Sequence, residues 1–155
     1  MLIQIPWNYR TMRDWVVFAR KRIDPTTENY LFGFSYGAMI ALILATEMKS
    51  KTIILCSLSP YFKEDLPRVP SSWKAYIGKR RIRDFATLSF KRLASKVTSR
   101  TILTVGEHES NVCHSRVRDA HLRLKNSRLV IIKGAKHNIH QKEYLAAVER
   151  IIRSL

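Results

Sequence analysis

Gly33-Phe34-Ser35-Tyr36-Gly37 sets a serine between two glycines, one two positions before it and one two positions after. The pattern falls where an apolar run, Tyr30 to Phe32, gives way to an Ala-, Met-, Ile- and Leu-rich stretch from Tyr36 to Met48. A serine on a sharp strand-to-helix turn takes a strained backbone conformation. Side chains two positions either side of it would collide, so glycine is expected at both 33 and 37. The turn lifts the hydroxyl clear of its surroundings as a nucleophile. The helix that follows points the positive end of its dipole at Ser35, and the Tyr36 N–H is placed to stabilise an oxyanion.

The elements that would hold such a turn can be read along the chain. Leu2 to Ile5 reads as a short strand stopped by Pro6. Thr11 then caps a helix, with Asp14 in capping-box position. Met12, Trp15, Val16, Ala19 and Ile23 recur at helical spacing and mark a buried face, and Asp24-Pro25 ends the helix. Thr52 to Cys56 is a β-branched, apolar strand, and continuous rather than alternating hydrophobicity fits a parallel sheet covered on both faces. Thr101 to Val105 is a strand ending at Gly106, Arg116 to Leu124 is helical, and Leu129 to Ile132 is the last strand. Tyr144, Leu145, Val148, Ile151, Ile152 and Leu155 form the apolar stripe of a C-terminal helix. Strands alternating with helices imply the α/β class, right-handed crossovers and a mostly parallel sheet in a three-layer α/β/α sandwich.

One region breaks the rhythm. From about 60 to 98, prolines at 60, 67 and 70 precede Lys79, Arg80, Arg81, Arg83, Lys91, Arg92 and Lys96, with Arg100 just beyond. Trp73, Tyr76, Phe85 and Phe90 are interleaved with those charges. This reads as an irregular, partly helical excursion over one edge or face of a single domain spanning residues 1–155. Basic residues mixed with aromatics are also the footprint of single-strand nucleic-acid binding.

Composition narrows the classes. The chain has 155 residues, 46% hydrophobic and 26% charged, an ordinary globular balance that argues against disorder. Its net charge of +16 is not ordinary, and such a field attracts anions, from acidic substrates to nucleic acid. Cys56 and Cys113 show no paired spacing for a metal site and read as reduced thiols of a cytoplasmic protein. No stretch approaches the length of a membrane span, and the apolar N-terminus is too short for a signal-peptide core.

With these elements in place, the sequence resembles the α/β-hydrolase superfamily of esterases, lipases and thioesterases over nearly its whole length. The resemblance implies a triad in the order serine, acid, histidine, each at the C-terminal end of a strand. His137, in Gly134-Ala135-Lys136-His137 after the last strand, matches the general base. Glu109, in Gly106-Glu107-His108-Glu109, stands in the acid's place, with Glu107 as its rival. The implied chemistry is acyl transfer on an ester or thioester, with no metal or organic cofactor. Non-catalytic binding of nucleic acid or another polyanion is the alternative.

The resemblance also sets an expectation about what is lacking. Nothing upstream of Gly33 contains a glycine, so the loop that gives these enzymes their second oxyanion N–H has no counterpart. The strand that would lie between Leu2–Ile5 and the strand entering Ser35 is missing as well. Either those two strands pair directly, or an apolar edge is exposed and invites a homodimer.

Overall fold

A computed structural model describes residues 3–5 and 10–155. Four strands, β1 (Asn29–Phe34), β2 (Ser50–Cys56), β3 (Arg100–Gly106) and β4 (Ser127–Ile132), form one parallel sheet in the order β1-β2-β3-β4. Spatial order follows chain order, so the helices connecting successive strands must cross over the faces. The inner strands β2 and β3 are mostly apolar after their first residues and buried for nearly their full lengths, as strands covered on both faces must be.

Helices α1 (Met12–Arg20), α2 (Tyr36–Leu44) and α6 (Asn111–Arg123) cover one face, and α7 (Lys142–Arg153) covers the other. The capping box at Thr11 and Asp14 is formed: the Thr11 N–H donates to the Asp14 carboxylate at 2.8 Å, and the Asp14 N–H donates back to the Thr11 hydroxyl at 3.3 Å. Three boundaries differ from the periodicity. α1 stops at Arg20, although Ile23 still packs on the core, and α2 stops at Leu44 instead of Met48. α6 begins earlier, at Asn111, because the Ser110 hydroxyl caps it through the Cys113 N–H.

The N-terminal expectation needs correcting. Ile3 to Ile5 form no strand, although Ile3 and Ile5 pack on the core beside α1 and α2, while Leu2 and Pro6 lie outside the described residues. A strand needs a neighbour to hydrogen-bond with, and among the described residues β2 is the only strand that pairs with β1. Among the described residues, β1 is therefore one edge of the sheet. Its side chains alternate, so Leu31 is buried against the helical face while Tyr30 and Phe32, on the α7 side, remain 50% and 46% exposed.

Between β2 and β3 runs the basic excursion. It comprises a 3₁₀ turn at Leu66–Arg68 and the short helices α3 (Ser71–Ile77), α4 (Lys79–Phe85) and α5 (Phe90–Ala94). Phe85 and Phe90 are fully buried, whereas Lys79, Arg80, Arg83, Lys91, Arg92 and Lys96 are exposed, so the segment has an apolar underside and a charged outer face. Buried phenylalanines cannot stack on bases. Polar anchors fix the segment to the rest of the molecule. Asp84 accepts the Met12 N–H at 2.8 Å, satisfying one orphan donor at the start of α1. Fully buried Arg116, on α6, pairs with Asp65 at 2.9 Å and lies over the Phe90 ring at 3.9 Å. No helix among the described residues is long and apolar enough to cross a membrane.

Candidate active site

All four strands run in one direction, so the loops after β1, β2, β3 and β4 meet at one end of the sheet. That end is where open α/β sheets hold their ligands. Ser35 follows β1, Ser57 and Ser59 follow β2, Glu109 follows β3, and His137 lies between β4 and α7.

Ser35 has φ 56° and ψ −117°, a conformation rarely adopted by a residue with a side chain. It is held there by its N–H, which donates to the Cys56 carbonyl at 2.8 Å, and by its own carbonyl, which accepts the Ala38 N–H at 3.1 Å. Of the two flanking glycines, only Gly33 is required by space. A Cβ at Gly33 would sit 2.1 Å from the Gly37 carbonyl oxygen, whereas one at Gly37 would meet nothing within 4 Å. The collision expected at both positions is thus one contact, between Cβ 33 and backbone 37.

The Ser35 Oγ lies 3.1 Å from His137 Nε2, and His137 Nδ1 lies 2.7 Å from Glu109 Oε2. A carboxylate only accepts, so Nδ1 carries the proton and Nε2 is left to accept from the serine. Burial pushes the Glu109 carboxyl up, but bonds from His137, the Ser57 hydroxyl and the Gly106 N–H outweigh it and hold the pKa below the ordinary 4.5. Glu107, the other carboxylate of this loop, turns away and accepts the Gly134 N–H at 2.8 Å.

Several residues that the spacing did not single out complete the surroundings. The Ser57 hydroxyl donates to Glu109 and accepts from the buried Tyr144 hydroxyl at 2.6 Å, which in turn lies 2.9 Å from Thr104 Oγ1. Ser57 itself has φ 49°, a second strained non-glycine residue at the same end of the sheet. Gly106 sets the approach of the histidine loop, because a Cβ there would come 2.6 Å from the Ala135 carbonyl oxygen. Ser59, only 2% exposed, places its Oγ 3.1 Å from that of Ser35. The legible signal was a run of hydroxyls, Ser57-Leu58-Ser59, at the C-terminal end of an apolar strand.

Glu109, Cys113 and His137 also bring one ligand atom each within 4.8 Å of one another, close enough for three metal ligands. The donor chemistry fits a metal poorly. The His137 nitrogen facing the carboxylate carries the proton of their hydrogen bond, and burial pushes the Cys113 thiol up to about 11, away from the thiolate a metal binds.

The sheet order, the strained serine turn and the helices on both faces define the α/β-hydrolase fold, here with four parallel strands. Solved structures agree. Est1E from Butyrivibrio proteoclasticus superposes with a TM-score of 0.71 at 20% identity, over 94% of this chain and 70% of its own. MGS-MChE2, an α/β hydrolase from the metagenome of Mar Chica lagoon sediments, gives 0.72 at 14% identity, over 97% and 76%. A bromoperoxidase from Bacillus anthracis gives 0.69 at 16% identity, over 96% and 76%. No family model and no curated protein matches the sequence.

Proposed function

We propose that the protein is a serine hydrolase that cleaves an ester or thioester through Ser35, His137 and Glu109. The observation that carries this reading is the unbroken hydrogen-bond run Glu109–His137–Ser35 at the carboxyl ends of three strands. His137 Nε2 takes the Ser35 proton as Oγ attacks the carbonyl carbon, and Glu109 stabilises the imidazolium that forms. The tetrahedral oxyanion is met by the Tyr36 N–H at the start of α2, where the helix dipole adds to the donor. Collapse expels the alcohol or thiol, which takes the proton from His137. Water then enters, giving its proton to His137 as its oxygen attacks the acyl carbon, and Ser35 leaves with that proton.

Ser59 serves as the second donor in this reading. At rest Ser35 donates to His137, so the hydrogen bond between the two serines is donated by Ser59. Once the Ser35 lone pair is committed to the acyl carbon, that hydroxyl is free to turn to the neighbouring oxyanion.

A fluorophosphonate reagent should label the native protein at Ser35, and Ser35→Ala should abolish labelling without lowering the thermal midpoint. Mass spectrometry that finds the folded wild-type protein unlabelled would sink the assignment.

A further inference from the structure

We propose that the cavity beside Ser35 is a slot for an uncharged aromatic ring, so that the substrates are small aryl esters; the substrate part of this inference rests on the hydrolase reading above. The cavity, of about 390 Å³, opens onto Ser35 and His137, and Tyr36, Tyr61, Trp73 and Tyr76 give it four aromatic rings. Trp73 and Tyr76 stand three apart on α3, on one face of that helix, and both line the cavity. A further ring comes from the β2 end, where Tyr61 is fixed in a stack with Tyr36 (centroids 5.3 Å apart, 14° between planes) and Phe85 (5.4 Å, 20°). Trp73 approaches Tyr61 at 6.5 Å and 55°, so rings at different tilts bound the cavity.

Two further observations select the occupant. Tyr76, at the cavity wall, is 79% exposed, an unusual state for a large aromatic side chain. A flat ring beside it would remove that surface from water. The second is charge. Among the described residues, none of the chain's 28 lysines and arginines lines the cavity, despite a net charge of +16. A substrate carboxylate or phosphate would find no lysine or arginine there, and the one carboxylate present, Glu109, is already bound to His137. The volume lies near the low end for small-ligand sites, enough for one or two rings.

The test uses Ser35→Ala protein, which binds an ester without turning it over, and ligand-observed NMR titration of four neutral esters. Methyl benzoate and phenyl acetate place the ring on the acyl or the alcohol side; methyl cyclohexanecarboxylate and cyclohexyl acetate are their saturated counterparts. At least one aryl ester should bind roughly three- to tenfold tighter than its counterpart, and the larger preference identifies the side on which the ring sits. The preference should vanish in Tyr76→Ala, an exposed position whose loss leaves the fold intact, and shrink in Trp73→Ala. Equal binding of ring and cyclohexyl esters, no binding of either, or a preference untouched by both substitutions overturns the slot. Fluorophosphonate labelling of wild-type protein separates the two ideas. Labelling without ring preference removes the slot and keeps the hydrolase, while ring preference without labelling does the reverse.

Discussion

On the His137 side of Ser35, support is layered. Glu109 holds the imidazole; Ser57 and the Gly106 N–H hold Glu109; Tyr144 holds Ser57; and Thr104 holds Tyr144. Residues from the ends of β2, β3 and β4 and from α7 converge there, so the imidazole's position is fixed several times over. On the Tyr36 side the arrangement is thinner: a backbone N–H at a helix start and one buried hydroxyl, Ser59, on Ser35 itself. In the hydrolase reading proposed above, the groups that would move a proton are thus held more firmly than those that would receive negative charge. Substitutions on the two sides should therefore differ in kind as well as size.

The largest effect belongs to the layered side. In Glu109→Gln an amide facing Nδ1 can donate, which moves the ring proton to Nε2, where it can no longer accept from Ser35. Turnover of a chromogenic ester should fall about 10⁴-fold with the fold retained, a loss of the size known when a triad acid becomes an amide. Glu107→Gln, a partly exposed carboxylate facing Gly134, should stay within about twofold of wild type. Comparable losses in the two variants would show that the carboxylate facing His137 has no special role.

Next comes the thinner side. Ser59→Ala leaves the proton relay intact and removes one donor near the developing oxyanion. kcat should drop by on the order of 10² with KM nearly unchanged, because the bond strengthens only as charge forms. A raised KM with normal kcat would make Ser59 part of the cavity wall and nothing more, and the contrast between the two flanks would lose its meaning.

How much of this was legible depended on whether the signal was local. The turn at Ser35, the strand ends before Glu109 and His137, and the apolar run of β2 are written in consecutive residues, so the α/β layout could be read from spacing alone. Even there the pattern says too much about Gly37: its glycine leaves space unused, while the required absence of a side chain is at Gly33. Ser57 and Ser59 carry only a weak local mark, two hydroxyls at the end of an apolar strand, and Tyr144 carries none. Tyr144 looks like one more residue of an amphipathic stripe until the fold carries its hydroxyl across 87 positions to Ser57. The strand expected at Leu2–Ile5 had the right residue types, but a strand exists only by pairing, and no composition reveals whether a partner is at hand.

The smallest effect tests whether the layering supports the charge on Glu109 or only its position. Ser57→Ala keeps the left-handed backbone no worse than before and removes a bond to a buried carboxylate, at about 1–3 kcal/mol. Because the folded pKa of Glu109 lies below 4.5, its ionised form contributes stability that is fully present above 4.5 and disappears as pH falls through the folded value. Without the Ser57 hydroxyl that folded value rises toward 4.5 and the contribution shrinks. In urea melts the stability gap between wild type and Ser57→Ala should therefore be constant near neutrality and narrow below pH 4.5. It should not close completely, since the Tyr144 hydroxyl loses a partner at every pH. A gap that stays flat down to pH 3.5 would mean that Ser57 packs beside the carboxylate without stabilising its charge, and the outer layers would then govern geometry alone.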